Sequence, residues 1–157
     1  MSKAKSAACP CGGANYAACC GPLLQGAAHA GWAGQLMRSR YTAFTRRDEA
    51  YLLATWHPAT RPPAPLFDQE ETPLWLGLEV KSDLRLRKRK EASSDVPPDL
   101  RQLAPQAQQW DTVEFVARYR QRDGRAHRLH EISRFVLEDQ GDGARWYYVD
   151  GATGDSK

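Results

Sequence analysis

The sequence has no apolar run near the roughly 20 residues needed to cross a bilayer. Its amino-terminal segment, MSKAKSAACP, lacks the apolar stretch of a secretory signal. Cysteine is absent after Cys20, and the net charge is only +3, which excludes a chain that is basic throughout. We therefore expect a cytoplasmic protein with no membrane association. At 157 residues it has room for one compact domain and a small appendage.

The four cysteines have a spacing typical of a metal site. They lie in the segment CPCGGANYAACCGP, at Cys9, Cys11, Cys19 and Cys20. Thiols stay reduced in the cytosol, and a Cys-x-Cys disulfide closes a strained ring, so a bound metal is favoured over disulfides or free thiols. Four thiolates suit a closed tetrahedral zinc site, which stabilises a segment too short to build its own core. His29 is distant from the cysteines and is interpreted as a solvated or packing histidine.

Residues 36–58, LMRSRYTAFTRRDEAYLLATWHP, predict two consecutive helices. Apolar side chains recur at helical intervals on both sides of a polar break. Asp48 is placed to cap the start of the second helix. Pro58 disfavours helical geometry at His57, so that helix is expected to end near Trp56.

The remainder of the chain predicts a sheet. Four segments alternate in polarity, and two of the connections carry the turn residues Asp123-Gly124 and 141–143, Gly-Asp-Gly. The first segment, 75–88, is expected to place Leu76, Leu78 and Val80 on one face. The proline-bearing stretch 91–109 is interpreted as a lid or a mobile loop. The predicted fold is α+β, with helices on one face of a curved, mostly antiparallel sheet.

Two sets of motifs resemble known families. CPCG followed by Cys-Cys-Gly resembles the SEC-C motif, the small zinc-binding tail of the bacterial preprotein translocase ATPase, and LMRSRYTAF, YLLATWHP and WYYVDG resemble the YchJ-like family of bacterial proteins. The resemblance implies that the four cysteines bind a structural Zn²⁺. It also implies a cone-shaped sheet like that of nuclear transport factor two, which often leaves a pocket. The chain then divides into a zinc knuckle at 1–24, a connector at 25–34 and a cone-shaped domain at 35–157.

A pocket is predicted where Glu131 shares an alternation with Leu129, Phe135 and Leu137, because that pattern points a carboxylate at the helices. Arginine or histidine would be its partner, through a bidentate ion pair or acid-base chemistry. A purely structural pair of Glu131 with an arginine, with His57 hydrogen-bonding the last carbonyls of its helix, is favoured over such a pocket. The pocket candidates are Arg38, Arg40, Tyr41, Trp56, His57, Trp75 and Glu131.

Two functions are consistent with these patterns. The first is a non-enzymatic zinc-binding accessory protein that docks to a protein or ribosomal partner through the knuckle and the basic segment 85–90, with a small ligand in the cone. The second is a small hydrolase, isomerase or dehydratase that uses a His57/Glu131 pocket. The first is favoured because no nucleophile motif, phosphate loop or cofactor fingerprint accompanies the histidine and the acid.

Overall fold

The computed structural model describes residues 7–67 and 73–153. After a short turn of 3₁₀ helix at Tyr16–Ala18, the chain forms helices and strands in an order that agrees with the predicted α+β class. The helices are α1 (Gly21–Leu24), α2 (Ala33–Arg46), α3 (Glu49–Ala54) and α4 (Pro98–Leu103), and the strands are β1 (Leu74–Ser82), β2 (Gln109–Arg120), β3 (Ala126–Asp139) and β4 (Ala144–Thr153). The strands form one antiparallel sheet in the order β1-β2-β3-β4.

The predicted pair of consecutive helices is confirmed as α2 and α3. Arg47 ends α2 in the left-handed conformation, with φ of 54°. The Asp48 side chain then accepts a hydrogen bond from the Tyr51 N–H at 3.1 Å and caps α3. Because the break occupies only two residues, α3 follows α2 directly and packs against it, while α2 packs on one face of the sheet.

We call the face toward α2 the inner face. Its buried side chains include Val113, Phe115 and Ala117 of β2 and Phe135 of β3, which form one core with Leu36 and Met37 of α2, and with Tyr41 and Trp146. The alternating residues of β2 and β3 therefore point as the sequence predicts.

Strand β1 departs from the prediction. Its pairing with β2 shifts between Trp75 and Gly77, and this irregularity leaves Leu76 exposed by 46% while Leu78 packs against the core. The strand also ends at Ser82, so Leu86 lies in a turn and is 53% exposed. Strict alternation was the wrong assumption because a bulge changes which face the next side chain occupies.

The opposite, outer face of the sheet carries a second core. Val136, Tyr147 and Val149 pack there against Leu100 of α4, which is fully buried, and against Val96, Ala104 and Ala107. The interpretation of residues 91–109 as a lid or mobile loop is therefore wrong. These residues cover part of the outer face and make the domain three-layered there.

A short extended segment after α3 continues the sheet beyond β4. Trp56 pairs in parallel with Tyr148; the His57 N–H donates to the Tyr148 carbonyl at 2.7 Å and the Tyr148 N–H donates to the Thr55 carbonyl at 2.9 Å. Successive residues of an extended segment point to opposite faces. Trp56 therefore packs on the inner face and His57 on the outer face.

No helix within residues 7–67 and 73–153 has the length and apolar character needed to cross a membrane.

Candidate metal centre and inner cavity

Four cysteine sulfurs meet beside α2. The Sγ atoms of Cys9, Cys11, Cys19 and Cys20 all lie within 4.8 Å of one another. The Cys11 and Cys19 sulfurs are 3.5 Å apart, and those of Cys19 and Cys20 are 3.9 Å apart. None of the four forms a disulfide, and all but Cys19 are buried. The group can hold a metal ion.

Two glycines shape the loop that carries the first two cysteines. Gly12 has φ of 103°, a conformation that favours glycine. It allows the Gly12 N–H to donate to the Cys9 carbonyl at 2.9 Å, while the Cys9 N–H donates to the Gly13 carbonyl at 3.0 Å. A Cβ atom on Gly13 would lie 2.7 Å from the Cys19 sulfur. The Cys-Pro-Cys-Gly-Gly sequence therefore lets the two halves of the cluster approach each other.

The cysteine knuckle packs directly on the domain. Cys9, Cys11 and Cys20 belong to the same core as α2. The Cys9 sulfur lies 3.6 Å from the buried Thr42 hydroxyl, and the Arg46 guanidinium lies 3.9 Å from the centre of the Tyr16 ring. The domain boundaries assigned above remain a prediction. These contacts attach the cysteine knuckle directly to α2.

Without a metal, the pKa values of three cysteines in the cluster shift in opposite directions. Hydrogen bonding from Cys20 lowers the pKa of Cys11 to about 5, although burial opposes the shift. Burial raises the pKa of Cys19 to about 11, and the Cys11 thiolate adds to the rise. Hydrogen bonding to Cys11, together with burial, raises the pKa of Cys20 still more. Ionisation of Cys19 and Cys20 at neutral pH therefore requires a cation that neutralises the added negative charge.

We predict that metal binding to the metal-free protein at pH 7 releases at least two protons, because Cys19 and Cys20 are protonated before binding and thiolates afterwards. Both pKa values are raised, so affinity must increase as pH rises toward them. An indicator dye in weakly buffered solution measures the release. Release of fewer than two protons per ion would contradict this account.

A cavity of about 190 Å³ lies between α2 and the inner face of the sheet. Its walls are largely aromatic: the Tyr41 and Trp75 rings meet edge to face at 5.6 Å, and the Phe44 ring lies 6.1 Å from that of Trp75. Met37, Phe115 and Phe135 close the sides. The wall is thus apolar except at one corner.

Glu131 occupies that polar corner. Its Oε2 atom accepts a hydrogen bond from the Ser133 hydroxyl at 2.6 Å and a longer one from the Tyr148 hydroxyl at 3.4 Å. Gly151 lies on the neighbouring strand, and an added Cβ there would overlap the carboxylate. The absence of a side chain at Gly151 therefore makes room for Glu131.

Arg40 lies at the same end of the cavity but does not bridge Glu131. Its Nη1 atom donates to the Leu52 carbonyl at 2.8 Å and to the Thr55 hydroxyl at 2.7 Å. Its guanidinium lies over the rings of Trp56, at 4.9 Å, and Tyr148, at 4.5 Å. Burial lowers the pKa of Arg40 to about 10, so it stays charged at neutral pH. The bidentate pair expected from the sequence is replaced by a buried arginine that ties α2 to the end of α3.

His57 lies away from the cavity. It is 5% exposed, and its Nε2 atom is 3.0 Å from Oε1 of Glu138, a residue of the outer face. Its Nδ1 atom accepts a hydrogen bond from the Ala59 N–H at 3.1 Å. Nδ1 is then unprotonated, and Nε2 carries the hydrogen donated to Glu138. His57 neither pairs with Glu131 nor bonds the last carbonyls of its helix, and both expectations are wrong.

The structure brings together five of the seven pocket candidates. Arg40, Tyr41, Trp56, Trp75 and Glu131 line the cavity. Arg38 is half-buried and, like His57, is not among the lining residues.

The cavity wall also contains Phe44, Ser133 and Tyr148, which are not among the seven pocket candidates. Ser133 follows Glu131 by two residues, so the alternation that selected the acid also contained the signal for its hydrogen-bond partner.

His29 is exposed and does not belong to the cysteine group. Its interpretation as a solvated side chain agrees with that exposure.

Two segments at opposite ends of β1 concentrate positive charge. In the basic segment 85–90, Arg85 lies 3.7 Å from the centre of the Trp32 ring and Arg87 bonds Asp111 at 2.5 Å, whereas Lys88, Arg89 and Lys90 are exposed.

The hairpin segment 118–128 joins β2 to β3. It contains five arginines: Arg118, Arg120, Arg122, Arg125 and Arg128. The second segment was not identified from the sequence.

Comparison with known proteins agrees with this architecture. The family model described as "YchJ, middle NTF2-like domain" matches residues 32–96 and 99–151. A UPF0225 protein of Ralstonia nicotianae is 45% identical over 154 residues, covering 94% of this chain and 92% of its own. A UPF0225 protein of Chromobacterium violaceum is 46% identical over 151 residues, covering 95% of each.

Two solved structures share the fold. The solution structure of a SEC-C motif containing protein from Rhodopseudomonas palustris has a TM-score of 0.67 and 32% identity, covering 95% of this chain and all of that one. The crystal structure of a SEC-C motif containing protein from Psychrobacter arcticus has a TM-score of 0.64 and 26% identity, with coverage of 96% and 84%.

The fold and the cysteine cluster therefore define an NTF2-like α+β protein with an amino-terminal SEC-C motif. Within that class, the chain belongs to the YchJ-like family, whose bacterial relatives include the UPF0225 proteins.

Proposed function

We propose that this protein is a non-enzymatic, zinc-binding accessory protein of the cytoplasm that docks onto an RNA-containing partner such as a ribosome. The single observation that carries the docking role is the segregation of charge. The basic segment 85–90 and the hairpin segment 118–128 have net charges of +5 and +4 and hold ten of the 22 lysines and arginines. Because the whole chain is only +3, the remaining residues together are −6.

Zinc is the metal that best suits the cysteine cluster. Tetrahedral coordination with Zn–S bonds of about 2.3 Å separates neighbouring sulfurs by about 3.8 Å. The distances of 3.5 and 3.9 Å between sulfurs lie close to that value. Four thiolates leave no open coordination position, which favours a structural ion over a catalytic one. Soft thiolate ligands favour zinc over harder metal ions. Thiols that remain reduced fit a cytoplasmic location.

RNA is a suitable partner because the hairpin cations are all arginines; guanidinium also binds carboxylates in bidentate fashion, so the experiment below includes an acidic peptide as competitor. Guanidinium binds phosphate through two parallel hydrogen bonds, and arginine predominates where such recognition is needed. Arg118 and Arg128 stand directly opposite each other in the β2–β3 pairing. Like charges in such positions oppose folding unless anions lie between or beside them. Glu79 relieves this only weakly, at 3.9 Å from Arg118.

The non-enzymatic assignment is supported by the separation of the acid from the histidine. Glu131 faces the inner cavity, whereas both ring nitrogens of His57 are hydrogen-bonded on the outer side of the sheet. A catalytic histidine needs a nitrogen within reach of the substrate proton. His57 instead fixes the chain after α3.

We predict that Arg118→Gln/Arg128→Gln and Lys88→Gln/Arg89→Gln each weaken RNA binding by about tenfold at 50 mM salt. Each pair removes two cations that would neutralise phosphates, so the slope of log affinity against log salt should also fall by about 1.4. Fluorescence anisotropy with a labelled single-stranded oligouridylate of 15 nucleotides measures both quantities.

The matched control is Arg61→Gln/Arg145→Gln, which removes two cations outside both segments and should change affinity less than twofold. Oligoglutamate of equal charge serves as the competing occupant. The docking proposal fails if the control weakens binding as much as the test pairs, or if oligoglutamate binds more tightly than RNA.

A further inference from the structure

We infer that the inner cavity binds a neutral, planar ligand of one or two fused rings that donates one N–H hydrogen bond to Glu131. This inference adds a small-molecule function to the accessory role proposed above. It rests on the cavity alone, and neither the basic segments nor the cysteine cluster enters it.

The size and walls of the cavity select for a flat apolar body. A dry apolar cavity of about 150 Å³ accommodates benzene, so the present volume of about 190 Å³ admits a slightly larger ring system. The Tyr41, Phe44 and Trp75 rings meet at edge-to-face or tilted angles, and such surfaces favour stacked or edge-on aromatic partners.

The polar corner selects for a hydrogen-bond donor. Both hydrogen bonds to Glu131, from Ser133 and Tyr148, go to Oε2. Among the residues that the structure describes, none bonds Oε1, which thus remains as an acceptor at the edge of an otherwise apolar wall. A bond to a carboxylate oxygen in such surroundings is charge-assisted, and a ligand without the donor would leave that oxygen desolvated and unpaired. The corner therefore favours a ligand with a ring N–H over a ligand of the same shape that lacks this donor.

The charges around this corner favour a neutral ligand. Arg40 carries a positive charge close to the negative charge of Glu131, so the corner is electrically balanced before a ligand enters. An anion would meet the Glu131 carboxylate, while the rings of Trp56 and Tyr148 cover the Arg40 guanidinium. A cation would gain from Glu131 but would meet Arg40. Either net charge would also lose its hydration on entry.

Gly151 leaves the space that the Glu131 carboxylate occupies. Because an added Cβ would overlap the Glu131 carboxylate, Gly151→Ala must displace that group without replacing any residue of the cavity wall. The effects of moving the acceptor and of deleting it can therefore be compared.

The test uses three probes: indole, its isostere benzofuran, which lacks the N–H, and the anion indole-3-acetate. Affinity is measured from ¹⁵N–¹H NMR shifts of the Trp56 and Trp75 side chains in the full chain. We expect indole to bind about tenfold or more tightly than benzofuran, the ratio typical of one hydrogen bond to a charged acceptor. Indole-3-acetate should bind more weakly than indole.

In Glu131→Leu the preference for indole should disappear, and in Gly151→Ala it should shrink. Glu79→Leu, an equivalent change at an exposed position of β1, should leave it intact. The inference is overturned if wild-type protein binds indole and benzofuran equally, binds neither at millimolar concentration, or retains its preference in both cavity variants. Oligouridylate affinity measured on the same variants separates failure of this inference from failure of the docking role.

Discussion

Replacing Cys9 and Cys11 together by serine will yield protein that lacks the stoichiometric zinc proposed above and has a much lower unfolding temperature. Structural zinc contributes roughly 10–16 kcal/mol of apparent binding free energy in small zinc-dependent folds. The knuckle shares its core with α2, so we expect a loss of at least ~5 kcal/mol. For a chain of this size that corresponds to a fall of about 10–20 °C in Tm. Metal analysis and circular dichroism measure the two effects.

The matched control is Ala17→Ser/Ala18→Ser, which adds two hydroxyls to exposed positions of the same knuckle and should preserve both metal content and Tm. A chelator should lower the Tm of the wild type to that of the cysteine variant, and should not affect the variant. A cysteine variant that keeps one zinc per chain, or unfolds at the wild-type temperature, would remove the metal from the account of stability.

Local signals were sufficient for the helical pair and for the direction of Glu131. Asp48 has the side chain that caps α3, and the strict alternation of β3 aims Glu131 and Phe135 at the same side. Such signals lie within a few residues of the feature that they determine, and the pairing of β3 with β2 has no register shift of the kind that misplaced Leu76 in β1.

The location of His57 could not be predicted in the same way. Its surroundings depend on the pairing of Trp56 with Tyr148, a contact between segments distant in sequence. That pairing makes the chain after α3 extended and sends His57 to Glu138. A histidine next to a helix end does not specify which face of a sheet it will reach.

The outer core was missed because its sequence contains prolines in the positions that usually indicate a loop. Pro97 is the N-cap residue and Pro98 the first residue of α4, where a missing N–H costs no hydrogen bond. Asp99 in the first turn, followed by Leu100, completes a helix-start pattern. Considered together, these residues predict a short helix, although its position on the outer face depends on Val136 and Tyr147.

Phe135→Ala will destabilise the domain by ~3–5 kcal/mol, the usual cost of emptying a fully buried phenylalanine site. Phe135 is 1% exposed, and its ring meets that of Tyr148 edge to face at 5.7 Å. It also lines the cavity, so the deleted ring adds to existing empty space and neighbouring side chains cannot collapse without moving Tyr148. Urea unfolding followed by tryptophan fluorescence gives the free energy of unfolding.

Ile132→Ala on the same strand is the matched control, because Ile132 points to the outer face and is 39% exposed. Its cost should stay below ~1 kcal/mol. The Phe135→Ala variant also tests the cavity, because removal of the ring enlarges it. After correction for the fraction of folded protein, this variant should bind a larger planar probe such as carbazole more tightly than the wild-type protein does. Equal destabilisation by the two substitutions would mean that the inner face is not the main core. A stable Phe135→Ala variant with unchanged probe selectivity would mean that Phe135 does not define the cavity wall.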